Sequence, residues 1–297
     1  MAKIKILCTS TGAIQYAPKR YQKYNIDIVD IHVSFKGQEY AESEMDPQKF
    51  YAELETLENP KNNLPKTALP SILEIHSHFD KAVEEGYDTI IAYTISTGLG
   101  GTYNAFLTAI KEYDKKIDIH VVNTKGAAFV EGIHAVRAAE MAEKGYSVEQ
   151  ILKESDWAIK HQEFVGTDGK LDYLIYNGRL KGAKAFMGQM LKICPVLRFN
   201  REGELEAVES VRTQKKALVR VCELMKEIIG DRDPKDYFLY QVYTGEAMVD
   251  ALCEAENKTG LKTNHEGVVM TPASGCHNGP WLAAYGLYLI RREDETL

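Results

Sequence analysis

What the chain lacks narrows its chemistry first. Its five cysteines (Cys8, Cys194, Cys222, Cys253, Cys276) are scattered and form no C-x-x-C. They read as reduced thiols of a cytoplasmic protein, with no disulfide framework and no zinc site. There is no P-loop, because Gly98-Leu99-Gly100-Gly101 is not followed by Gly-Lys-Ser/Thr, and there is no G-x-S-x-G elbow. The Gly98-x-Gly100 pair lacks the third glycine of a dinucleotide fingerprint. No carboxylate cluster suggests a divalent metal, so neither metal nor cofactor is expected. Positive charge is also short: a net charge of -7 argues against a nucleic-acid partner. No run is apolar for long enough to span a bilayer, and the longest, Trp281 to Ile290, is broken by Gly286. No signal peptide is evident, since Met1-Ala2-Lys3 leads straight into a strand pattern.

What is present is a chain of 297 residues, 44% hydrophobic and 27% charged, enough for one large or two medium α/β domains. Asp88 to Asn104 organises the first half. Ile90, Ile91, Ala92, Tyr93 and Ile95 form a short apolar run that suits a buried parallel strand. Ser96-Thr97 and Gly98-Leu99-Gly100-Gly101 follow, and a helix opens at Thr102. A strand exit, a glycine turn and a helix start together suit an anion site, although an ordinary βα turn would look the same.

Lys3 to Cys8 reads as a strand that exits into Thr9-Ser10-Thr11, and Ile117 to Val122 as one that exits into Asn123-Thr124. Helices are expected from Asp46-Pro47, from the capping box Ser71-x-x-Glu74, and from Gly126 to about Lys144. Strands alternating with helices predict a parallel sheet, with the hydroxyl-rich exits lining one rim. Asn59 to Pro70 reads as a loop that carries Thr67.

The texture changes between about 145 and 165, so domains are placed at 1–150 and 151–297. Ser147-x-x-Gln150 caps a helix, and Asn177-Gly178-Arg179 is a turn before a helix from Lys181 to Lys192. Cys194 to Asn200 and Leu205 to Val211 flank the turn Arg201-Glu202-Gly203, which predicts a hairpin and antiparallel pairing. Ser274 to Pro280 reads as a loop carrying His277, and a last helix is expected from Trp281. His277 suits a general base, a hydrogen-bond donor or a structural residue. Arg179 suits an anion site or a cap on nearby carbonyls. The indole of Trp281 is expected to face an apolar space, either the core or a pocket.

Six segments, in order, resemble the DegV family over nearly the whole chain. Thr9-Ser10-Thr11 is similar to its Asp-Ser-Ser/Thr, and Thr67 sits where the family has Thr-Ser-Gln-Pro. Ser96-Thr97-Gly98-Leu99-Gly100-Gly101-Thr102-Tyr103 resembles Ser-Ser-Gly-Leu-Ser-Gly-Thr-Tyr. Asn177-Gly178-Arg179-Leu180 resembles Gly-Gly-Arg-Ile, Val211-Arg212-Thr213 a further recurrent segment, and His277-Asn278-Gly279-Pro280 the closing His-Thr-Gly-Pro. The departures are Thr9 for Asp, Ala68-Leu69 for Ser-Gln, and Trp281 for glycine.

The resemblance implies two α/β domains with one long-chain fatty acid between them. It also implies a non-catalytic subunit that hands the acyl carboxylate to a separate ATP-binding fatty acid kinase subunit. Thr67 and Thr97, with Ser96 near, would hold the carboxylate, His277 would join its hydrogen-bond network, Ser10 would lie on the rim, and Arg179 near the site or the partner-facing surface. Transient contact with a membrane surface fits that role. The alternative is a small-molecule hydrolase or phosphotransferase using His277 with the Ser96-Thr97 anion site; a third reading is a sensor that uses the ligand as a signal.

Overall fold

The computed structural model describes residues 2–114, 116–183, 193–263 and 266–292. The first half is built on four parallel strands in the order β2-β1-β6-β7, where β1 is Ile4–Thr9, β2 Ile26–Val29, β6 Thr89–Thr94 and β7 Asp118–Asn123. Every residue of β6 is buried, as its unbroken apolar run predicts for an interior strand covered on both faces. The helices Ile72–Glu84 and Thr102–Glu112 pack together over this sheet, with Phe79 edge-on to Phe106. Phe129–Glu143 packs on β1 and β6. Both expected capping boxes are formed, at Ser71/Glu74 and Ser147/Gln150.

A small antiparallel sheet, β4-β3-β5, stands beside it, with β3 His32–Phe35, β4 Gln38–Ala41 and β5 Lys66–Ala68. Asn59 to Pro70 is therefore not simply a loop: a short helix, Pro60–Asn63, leads into β5. Sequence hides this strand because it is three residues long, too short for alternation to register.

The second half is a six-stranded sheet in the order β10-β9-β8-β13-β11-β12. Its strands are β8 Glu163–Asp168, β9 Cys194–Phe199, β10 Leu205–Val211, β11 Tyr237–Tyr243, β12 Gly267–Val269 and β13 Leu282–Leu289. All pairings are antiparallel except β11 with β12. The predicted hairpin is β9–β10. Of the helix expected from Lys181 to Lys192, residues 184–192 lie outside the described residues.

The C-terminal expectations are corrected. Pro272–Asn278 is a helix, N-capped by Thr271 with Pro272 in its first turn, so His277 sits in a last helical turn and not in a loop. Trp281 opens no helix: β13 follows it and forms the middle of the large sheet. The apolar run is eight residues long and buried throughout, the signature of an interior strand. Gly286 allows it, since a Cβ there would lie 2.2 Å from the Tyr240 ring. One continuous hydrophobic core runs through both halves, from Ile6 and Tyr93 to Val196 and Tyr285.

Candidate functional site

A cavity of about 240 Å³ lies between the two halves. Leu69, Ile95 and Leu99 contribute from the first half, and Leu174, Leu205 and Leu282 from the second. Its walls are mainly apolar, and one cluster of polar groups on them draws its members from both halves.

Three residues make that cluster, each placed by a different element. Thr67 is held by β5, where it pairs with Val33. His277 is presented by the helix Pro272–Asn278. Arg179 follows Gly178, whose φ of +68° turns the chain after the helix Asp172–Tyr176. Thr67 Oγ1 lies 3.1 Å from His277 Nε2. Asn177 donates to the Cys276 carbonyl at 3.0 Å, which ties the arginine turn to the histidine helix. Arg179 reaches across the cleft: its Nε donates to Leu99 O at 2.9 Å and its Nη1 to Asn177 O at 2.6 Å. Among the described residues no carboxylate neutralises it. Burial, aided by the neighbouring guanidinium, pushes the His277 imidazole down to about 4, so it is neutral at pH 7. Its Nδ1 is buried and, among the described residues, has no partner. At the same wall, Gly101 and Thr102 begin the helix Thr102–Glu112, which has no side-chain cap. A guanidinium, a neutral imidazole, a hydroxyl and an uncapped helix N-terminus can together offer hydrogen-bond donors and positive potential to an anion on the wall of an apolar chamber.

The structure therefore brings Thr67, Arg179 and His277 to the cavity and not Ser10, Ser96 or Thr97. Ser96 is buried, and its hydroxyl donates to Gly203 O at 2.7 Å and accepts from Gly98 N at 3.1 Å. Thr97 is exposed and accepts from Asn123 Nδ2 at 2.9 Å. The amides of Leu99 and Gly100 bond back to Ser96 O, so this turn spends its N–H groups on itself. Gly203 is required there: its φ is +79°, and a Cβ would lie 2.2 Å from Ser96 Oγ. Ser10 donates to Glu42 Oε2 and accepts from Ile31 N at 2.9 Å. Its neighbour Thr11 is the residue of that segment on the cavity wall. Trp281 is not on the wall: its ring lies edge-on to Tyr173, with Lys170 Nζ 3.7 Å from its centroid.

Two buried acids behind the wall were not visible from sequence. Glu131 accepts from Thr9 and, at 2.8 Å, from Thr11. Glu42 accepts from Ala273 N at 2.6 Å, which joins the first half to the histidine helix. Burial pushes Glu131 up to about 8 and Glu42 up to about 7, against the opposing pull of their hydroxyl donors. The available signal was a lone acid in the small, apolar stretch Phe129-Val130-Glu131-Gly132-Ile133.

The model of the DegV family, a family of uncharacterised proteins, matches residues 3–289. The chain belongs to the DegV family. A fatty acid-binding protein of Thermotoga maritima is 32% identical over 230 residues, 76% of this chain and 77% of that one. The crystal structure of a fatty acid binding DegV family protein from Streptococcus agalactiae superposes with a TM-score of 0.83 at 26% identity, covering 98% of this chain and all of that one. A stearic acid-binding protein from Eubacterium ventriosum gives a TM-score of 0.82 at 25% identity, over 96% and 98% of the two chains. Among the described residues, no helix is long and apolar enough to cross a membrane, and no group of three or more His, Cys, Asp or Glu could hold a metal ion.

Proposed function

We propose that the chain binds a long-chain fatty acid in this cavity, carboxylate toward Arg179, and presents that carboxylate to a separate ATP-binding kinase subunit. One observation carries the reading. Among the described residues the guanidinium of Arg179 is bonded to carbonyls alone, and it shares the wall of a mainly apolar chamber with Thr67 and His277. Fatty-acid binding by the DegV relatives supports the same ligand class.

The energetics suit a carrier. Burying about fifteen methylenes at about 0.8 kcal/mol each supplies on the order of 12 kcal/mol before ordering costs. Hydrogen bonds to a charged head group add about 1.5–3 kcal/mol each. The tail supplies affinity, and the polar cluster fixes direction and rejects neutral lipids. Against the hydrolase alternative, the Ser96 hydroxyl donates to the Gly203 carbonyl and Thr97 Oγ1 accepts from Asn123.

Denaturing extraction of the purified protein followed by mass spectrometry tests the ligand. Stoichiometric fatty acid is expected; a polar metabolite in its place would overturn the reading. Incubation of the homogeneous chain with ATP, magnesium and fatty acid tests the division of labour. No acyl phosphate is expected until a kinase subunit is added, and turnover by the chain alone would defeat the carrier role.

A further inference from the structure

We propose that the rings of Phe164 and Phe199 form the partition that ends the acyl chamber and sets the chain length it accepts. The inference rests on the fatty-acid reading above. Among the described residues, these two are the ones that line both the cavity and a second, larger cleft of about 770 Å³. Their ring centroids are 5.0 Å apart, with planes inclined at 40°. β8 pairs with β9 so that Val165 faces Arg198. The next step outward sets Phe164 against Phe199, a cross-strand aromatic pair.

The two rings are anchored unequally. Phe164 is buried, and its backbone is held between β9 and β13, opposite Gly286. Phe199 ends β9, opposite Leu205, and is only partly buried. A chain whose carboxylate is fixed near Arg179 is measured from that end, so whatever closes the other end limits its length. Beyond the rings the second cleft offers Ile159 and Val208, apolar surface that a longer tail would cover. Closed, the ring pair keeps the tail from that surface. Opened, it would join the two spaces.

The test compares acyl chains bound to wild type, Phe199→Ala and Phe199→Trp expressed in one host, and their exchange with saturated acids of graded length. Phe199 is varied because Phe164 lies in the sheet interior, where truncation risks folding. Phe199→Ala is expected to shift the bound population to longer chains, by about fourfold for each methylene that gains burial. Phe199→Trp is expected to shift it to shorter ones. Adding Val208→Asp to Phe199→Ala places a charge on the far side of the opening and is expected to cancel the gain. A folded Phe199→Ala protein with the wild-type profile would overturn the partition. A wild type that carries no fatty acid at all would instead overturn the reading on which it rests.

Discussion

His277 Nε2 and Thr67 Oγ1 meet at 3.1 Å, although 210 residues separate them in the chain. The bond spans the cleft, so each half of the molecule supplies one member of the polar cluster.

Loss of either partner should weaken binding and spare the fold. Thr67→Val and His277→Ala are each expected to lower fatty-acid affinity by about 1–3 kcal/mol, the cost of leaving a polar group unmatched. A competitive lipid-exchange assay reads the change, with circular dichroism as the control. Full affinity in both folded variants would move the head group away from this pair.

Arg179 should discriminate by charge. Wild type is expected to bind a fatty acid well ahead of the fatty alcohol of the same length, and Arg179→Gln to narrow that gap by about tenfold or more, since charge-assisted bonds are about twice as strong as neutral ones. Arg179→Lys keeps the charge but not the fork that reaches both Leu99 O and Asn177 O, and should fall between them. Equal preference for acid and alcohol in wild type would remove the argument.

Ser96→Ala should act on stability. It leaves the Gly203 carbonyl without its donor, at a cost of about 1–3 kcal/mol, while acyl preference stays as in wild type. Thermal unfolding and the bound-lipid profile separate the two effects. A stable Ser96→Ala protein that no longer holds fatty acid would return Ser96 to the head-group site.

The buried acids set a pH dependence. Glu131 and Glu42 are pushed up to about 8 and about 7, so between their unfolded values near 4.5 and those pH values the folded state holds protons that the unfolded state has lost. Their contribution to stability is present at low pH and is lost as pH rises. His277 and His134 are pushed down to about 4, which works in the opposite sense and only below about pH 6.5. Below that point the two effects oppose one another. From pH 6.5 to 8 the histidines drop out and the buried acids remain, Asp168 among them because burial pushes it well above its ordinary value, and stability should fall by at most about 1.4 kcal/mol per pH unit for each. Denaturant titrations across that window should show the fall, and Glu131→Gln should flatten it. A wild-type slope of zero would mean that both acids titrate normally.

Much of this molecule could be read before any coordinates. β6 and the hairpin around Arg201-Glu202-Gly203 declare themselves by local pattern, as do the two capping boxes. Thr67, Arg179 and His277 were legible from short segments in order. The errors have a common origin, since local pattern does not say what a group meets across the fold. Ser96 looks like a free hydroxyl at a strand exit until the β9–β10 turn brings the Gly203 carbonyl to it. Trp281 looks like a helix start, because a continuous apolar run of eight residues suits a buried helix as well as a buried strand. Glu131 is one acid among small residues until Thr9 and Thr11 turn toward it.

β13, the last of the described strands in sequence, lies between β8 and β11 in the large sheet. During synthesis β8, β9 and β10 emerge long before it, and so does β11. Until the ribosome has released residues 282–289, the sheet exists only as two unjoined pieces with bare inner edges. Such edges invite mispairing, and closing them needs contacts of long sequence separation, which form slowly. Leu282, the first residue of that strand, also lines the cavity. A chain in which β13 has not yet paired therefore lacks this wall of the cavity.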